Sequence, residues 1–243
     1  MEKGGEKVVV TQIVEVTPTP PPEPVVLAYW PGSDETLDER LIVLLAPYDG
    51  LRPDVLGVRV PGAVNHASAV GVLLEALRTL KAQEFTPRRT LYIALYASQG
   101  YDFGKTPRVT PDIGGFLAAK AGFGLLTPEA VVSLYGLGGG SGNRLLVGGS
   151  GSLHLTEVAE RAARLNGVPV RRELAPLNLG VVFDANAAGG GSEAPWITLS
   201  WEGSADLLGH PEDDVTALRP EVMGPVGKTL TLLLTLLSHA PSY

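Results

Sequence analysis

The sequence predicts an α/β domain: one mixed, mostly parallel central sheet with helices on both faces. Three observations carry that expectation. From Val25 onward, short apolar runs alternate with amphipathic stretches. The runs are apolar almost without interruption, as parallel strands buried on both faces require. The opening unit, Val25–Trp30 and Leu41–Tyr48 around the turn Pro31-Gly32-Ser33-Asp34, predicts an antiparallel edge and so a mixed sheet.

The remaining elements follow in order. Val70, Leu73, Leu74, Leu77 and Leu80 recur at helical spacing and predict a helix with those side chains inward. Leu91–Ala97 is a strongly apolar strand, Val131–Leu134 another and Leu145–Val147 a short one. Residues 153–166 form an amphipathic helix stopped by Asn166-Gly167. Val168–Leu174 and Trp196–Trp201 supply later strands. The last helix runs from Pro220 to Ser238, with Val226, Leu230, Leu233, Leu234 and Leu237 on its core face. No internal repeat is evident, and residues 25–243 read as one domain.

Residues 1–24 differ in kind. A charged start leads into VVVTQIVEV and then TPTPPPEP, Thr17 to Pro24. So dense a proline run holds neither helix nor sheet ladder and extends as a stiff spacer. The alternating stretch before it has strand character but no evident partner, so 1–24 reads as a Thr/Pro-rich stalk or linker. Stalks of this type hold a domain away from a membrane or wall, and no hydrophobic export core is present in the chain. The expectation is an extracytoplasmic or surface-tethered protein whose export signal is missing from this chain.

Composition narrows the function classes. Lys+Arg 19 against Asp+Glu 26 gives a net charge of −7 over 243 residues, which argues against a nucleic-acid partner. No apolar run approaches the roughly 20 residues of a membrane-spanning helix. Cysteine is absent, which excludes disulfides, thiolate metal sites and cysteine nucleophiles. The histidines are His66, His154, His210 and His239. In open α/β sheets, sites lie where chains leave the carboxyl ends of strands. That rule selects residues 46–50, 60–70, 96–104 and 133–142, with 208–215 as a fifth candidate. The glycine runs around Gly139 and Gly190 lack a P-loop lysine and dinucleotide-fingerprint spacing, so both read as flexible connections. Gly149-Ser150-Gly151-Ser152-Leu153 lacks the final glycine of a nucleophile elbow.

Taken in order, LLAPYDG, PGAVNHASAVGVLLEALRTLK, RTLYIALYAS and a late GHPEDD before a final helix resemble the di-zinc exopeptidases of the aminopeptidase Y type. Relatives in that superfamily include bacterial leucyl aminopeptidases, glutaminyl cyclases, nicastrin and the transferrin-receptor ectodomain. The resemblance implies two zinc ions held by imidazole and carboxylate, one bridging carboxylate, and a glutamate acting as general base on water. Residue by residue, the implied site is depleted. Where the family carries A-H-x-D, this chain reads Ala46-Pro47-Tyr48-Asp49, and Pro47 offers a metal no lone pair. Asn65 stands in the bridging place within Gly62-Ala63-Val64-Asn65-His66. Ser98-Gln99, or Gln99-Gly100, stands where a Glu-Glu pair belongs, and Tyr135 replaces a ligand aspartate. His210, followed by Asp213 or Asp214, and Asp49 are the residual matches.

The resemblance therefore implies a peptidase-like fold with no cofactor and no catalytic residues, serving a binding or assembly role toward a protein or peptide partner. An alternative gathers Asp49, His66 and His210 around one metal in a rearranged aminopeptidase-type hydrolase. A third is a structural subunit of an envelope assembly or filament. Plainer roles stand beside these: His66 packs or caps at a helix start, and Asp49 is a turn residue. Glu212-Asp213-Asp214 is a solvated acidic loop, with a weak calcium site as its sharper alternative. His154 and His239 are surface or core-edge residues. Tyr48, Tyr96, Tyr101 and Phe103, with Tyr135, form a possible binding rim or fill vacated volume.

Overall fold

The apolar runs become strands. The computed structural model describes residues 12–14, 25–49, 60–96, 127–150, 152–173 and 194–240. The strands are β1 (Gln12–Val14), β2 (Val25–Trp30), β3 (Arg40–Pro47), β4 (Thr90–Tyr96), β5 (Thr127–Leu134), β6 (Leu145–Ser150), β7 (Val170–Glu173) and β8 (Trp196–Trp201). The helices are α1 (Ser68–Ala82), α2 (Leu153–Leu165) and α3 (Pro220–His239). All eight strands join one mixed sheet in the order β1-β2-β4-β3-β5-β8-β6-β7. Parallel pairing holds β4, β3, β5 and β8 together, β2 pairs antiparallel with both β1 and β4, and β6 pairs antiparallel with β8 but parallel with the edge strand β7.

The opening unit has the expected antiparallel character with a different neighbour. β2 pairs with β4, Tyr29 opposite Tyr92, and not with β3. The turn after β2 explains the crossover. Ser33 N–H donates to the Pro87 carbonyl at 2.9 Å and Asp34 N–H to that of Arg88 at 3.3 Å, so the turn docks on the entry to β4. A Cβ on Gly32 would stand 2.5 Å from the Arg88 oxygen, and only glycine permits that approach. β3 is left for the centre of the sheet, where Leu41 to Pro47 are all buried. The alternating stretch near the N-terminus also has a partner: Ile13 pairs with Val26 on the outer side of β2.

The described helices pack on one face of the sheet and against one another. On α1 the buried stripe is Ala69, Val72, Leu73, Ala76 and Leu80, whereas Leu74 is 53% exposed. The i, i+3, i+4, i+7 geometry admits one stripe, and Ala76 takes the place assumed for Leu74. Ser152 caps α2, its Oγ accepting from Leu155 N–H at 3.1 Å, and Gly167 follows the last turn with φ 69°. α3 opens on Pro220 and buries Val226, Leu230, Leu233, Leu234 and Leu237, the face its spacing predicts. On the reverse face, Leu41, Val43, Leu45, Tyr92, Ala94 and Val131 form a second buried cluster. No helix among the described residues is long and apolar enough to cross a membrane.

Candidate functional site

The parallel core strands end together, and the chain leaving them builds a small buried polar cluster. After β3 comes Asp49. The helical segment ahead of α1 begins with a π-helical turn, Ala63–Ala67, entered through Gly62 at φ 73°. Such turns insert one residue into a helix and are frequent at functional sites. This one carries Asn65 and His66 inward, 0% and 2% exposed.

The amides that open a helix have no partner within it, and Gly62 has no side chain to cap them. Asp213 does so from far along the chain. Its backbone carbonyl accepts Ala63 N–H at 3.0 Å, and Oδ1 accepts Val64 N–H at 2.6 Å and Asn65 N–H at 3.3 Å. Oδ2 accepts Asn65 Nδ2–H at 2.8 Å. One carboxylate thus holds the positive end of the helix and the Asn65 amide together. The Asn65 carbonyl in turn accepts Gly136 N–H at 2.9 Å, tying the helix start to the exit of β5. His66 Nδ1 donates to the Asp49 carbonyl, and the ring lies edge-on to Tyr135 with centroids 5.5 Å apart.

These positions revise several sequence expectations. Asp213 is 1% exposed, so the acidic run before α3 is not uniformly solvated. Glu212 is exposed, and Asp214 accepts Thr216 N–H at 2.7 Å to cap a short 3-10 turn. The charge run conceals an inward residue because its partners lie 148 and 149 positions away. The side chain of His210 is 62% exposed and sits 4.0 Å from Glu212. Tyr96 and Tyr135 are buried, so neither stands on a rim: Tyr96 belongs to the reverse-face cluster, and Tyr135 fills space beside His66. Tyr48 is half-buried. His154 is exposed, and His239 rests against Phe85 with ring centroids 5.5 Å apart. Ser98, Gln99, Tyr101, Phe103 and the glycine run around Gly190 lie outside the described residues.

The other glycine run is not a flexible connection. Arg219 donates its N–H to the Gly138 carbonyl at 2.7 Å and Nη1 to that of Gly140 at 2.9 Å. Gly142 N–H donates to Glu202 O at 3.0 Å, and the Trp201 indole N–H to Gly142 O at 3.1 Å. Gly136 has φ 55°, and a Cβ there would collide with the Ser204 side chain. Gly136→Ala is therefore expected to cost about 2–4 kcal/mol, from left-handed strain plus overpacking. Urea unfolding measures it, and a loss under about 0.5 kcal/mol would show the loop to be loosely held.

Burial pushes the His66 imidazole pKa below its ordinary value, outweighing the raising effects of Asp49 and Asp213. Because the folded value lies below the unfolded one, this residue's contribution is fully present above about pH 6.5 and is lost as pH falls through the folded value. The urea midpoint is expected to drop between pH 7 and pH 5, and His66→Gln to flatten that drop.

The parallel strands end at a buried cluster of Asn65, His66 and Asp213 in front of the first helix. Residues 25–99 match the family model for peptidase family M28, the family type to which the ordered loop sequences pointed. LapB from Legionella pneumophila has the same fold, with a TM-score of 0.73 and 20% identity over 97% of this chain. The chain spans 61% of the length of LapB. A Zn-dependent exopeptidase from Parabacteroides distasonis superposes with a TM-score of 0.65 at 19% identity, covering 94% of this chain and 84% of that one. A Bacteroides thetaiotaomicron glutaminyl cyclase gives 0.63 at 16% identity, with coverages of 94% and 84%. No curated protein shows significant similarity to the chain.

The expectation that the chain takes no cofactor is corrected by these likenesses: structures of this fold include a Zn-dependent exopeptidase, and zinc is the ion the fold implies. The described residues do not fit the cocatalytic pair. Among them no three His, Asp or Glu side chains come together as a metal-binding group, Asp49, His66 and His210 included. Asn65 Oδ1, buried and without a hydrogen bond, is a neutral amide oxygen, outside the imidazole, thiolate and carboxylate set that zinc takes.

Proposed function

We propose that this chain is a recognition domain on an exopeptidase fold, which binds a protein or peptide partner outside the cytoplasm without hydrolysing it. The observation that carries the reading is Asn65. By the sequence resemblance it falls in the bridging place; it is neutral, and it spends its side-chain N–H on Asp213. Hydrolysis of the family's type needs a charged bridge and an acidic base on water. By sequence the place of the Glu-Glu pair holds Ser98-Gln99 or Gln99-Gly100, and neither offers a carboxylate to take up a proton. The Thr/Pro-rich segment Thr17–Pro24 supports the extracytoplasmic setting, as a spacer between the domain and a surface.

The test supplies what the fold implies. The purified chain is incubated with excess zinc and a defined oligopeptide mixture, with aminoacyl-nitroanilides in parallel. All peptides are expected to stay intact by mass spectrometry, with nitroaniline release equal to buffer. Saturable, chelator-sensitive release of amino-terminal residues would overturn the reading.

A further inference from the structure

An open groove of about 750 Å³ runs between α1 and α3 on the outer side of the helical layer. Gly71, Glu75 and Thr79 line its α1 wall, and Gly224, Gly227 and Lys228 its α3 wall. Packing within the chain does not call for these glycines. A Cβ on any of the three would meet nothing within 4 Å. Inside a helix each costs about 1 kcal/mol relative to alanine. What glycine supplies in return is room for another backbone to approach from outside.

The charges on the two walls indicate what approaches. Both helices follow strands of the parallel set, α1 after β3 and α3 after β8, and both end at the entry to β4. Phe85, just past α1, meets His239 at the end of α3 with ring centroids 5.5 Å apart, and Arg88 N–H donates to Ser238 Oγ at 3.0 Å. The helices therefore run in the same direction with their last turns level. Glu75 precedes Phe85 by ten positions and Lys228 precedes His239 by eleven, and for Gly71 and Gly224 the intervals are fourteen and fifteen. At about 1.5 Å per residue, each pair stands at one level on the two walls. Lys228 has no ion pair among the described residues, and Glu75 is held by Arg78 in an exposed contact at 2.6 Å.

We propose that this groove is the surface through which the chain associates with a second copy of itself. The copies dock face to face about a two-fold axis parallel to α1 and α3, each α1 opposite the other copy's α3. That axis preserves level and exchanges the walls. It sets Glu75 of each copy opposite Lys228 of the other, two ion pairs from one pair of residues. A two-fold axis across the helices would instead oppose Glu75 to Glu75. The facing glycines let the four helices come close. From Gly71 to Gln83 the face is about 18 Å long, and roughly 20 Å across two helices. That is below the ~800 Å² per partner of a standard interface, so the dimer is a weak one. The inference does not rest on the reading of the cleft, and the peptide assay above leaves it untouched.

Sedimentation of the full chain at low ionic strength, up to high micromolar concentration, is expected to show a monomer–dimer equilibrium. Glu75→Lys and Lys228→Glu, each alone, are expected to raise the dissociation constant about tenfold, because each opposes like charges twice across the axis. The two exchanges in one chain restore opposite charges, and the constant is expected to return to within about threefold of the wild type. A folding defect in either single variant would not be repaired in this way. Single variants that associate like the wild type, or a double variant as weak as either, overturn the proposal. A wild-type chain that stays monomeric leaves the groove to a different occupant and overturns it equally. The absence of cysteine allows a second test. Gly71→Cys and Gly224→Cys, made in separate chains, mixed and oxidised, are expected to give a disulfide-linked heterodimer, with little cross-linking of either chain alone. No heterodimer in the mixture counts against the proposed axis.

Discussion

Asn65→Asp is expected to destabilise the domain by about 3–5 kcal/mol at pH 7, the range for leaving a buried charge without a compensating partner. The present amide donates to Asp213 Oδ2 at 2.8 Å, with both residues inaccessible to solvent. A carboxylate in the same place turns that attraction into repulsion between two like charges in a poorly solvated site. One of the two then retains a proton, so its folded pKa lies above the ordinary value of about 3.9. The sign follows from linkage: the variant matches the wild type best at low pH and falls behind as pH rises through that elevated pKa. Urea unfolding at pH 5 and pH 8 checks it. Equal stability of the two proteins at pH 8 would show that the Asn65–Asp213 contact has no energetic weight. The trend runs opposite to the acid sensitivity assigned to His66, so the two effects separate in one titration.

Arg89→Ala is the second large effect, at about 3–5 kcal/mol, and it acts at the far end of the sheet. Arg89 is 0% exposed. Its Nε donates to Glu129 Oε2 at 2.5 Å and Nη2 to Oε1 at 3.3 Å, a fork that joins the start of β4 to β5. Nη1 donates to the carbonyls of Leu237 at 3.4 Å, Ser238 at 3.5 Å and Ala240, satisfying the negative end of α3. Alanine leaves the nearly buried Glu129 carboxylate with only the exposed Arg40 at 3.6 Å for a partner, and frees the helix end. Arg89→Lys is expected to recover only part of the loss, since one ammonium cannot reproduce the fork. Removing both charges, in Arg89→Met with Glu129→Leu, is expected to cost less than Arg89→Ala alone, because no orphan charge remains. If the double variant proves the less stable, the ion pair contributes more than the penalty of breaking it.

Both effects concern residues whose importance is invisible at short range in the chain. Asp213 sits in a run of acids that looks solvated, and Arg89 follows another arginine in a polar turn. Arg88, itself exposed, pairs with half-buried Asp34 at 2.5 Å, whereas Arg89 turns inward, and nothing local distinguishes the two. Alternation along a strand sends neighbours to opposite sides, but only the packed α3 says which side is interior. The same holds for Asn65 and His66, consecutive in sequence and both inward because a π-turn inserts an extra residue.

Periodicity and apolar content are local properties, and from them the chain by itself determined its strands, its helices and the sheet class. They place Trp196–Trp201 as a strand and Val226 to Leu237 as the core face of the last helix, both as observed. Which residues stand where the resemblance implies zinc ligands is likewise a matter of identity, and Pro47, Asn65 and Tyr135 are read from the sequence alone. Tertiary structure alone decided which strands are neighbours, with β2 beside β4. It also decided that a distant carboxylate takes over the helix start and that His210 faces solvent. The reason is range. Secondary structure is set by interactions over a few residues, whereas hydrogen bonds across 148 positions depend on how whole layers pack, and no window of sequence contains both partners.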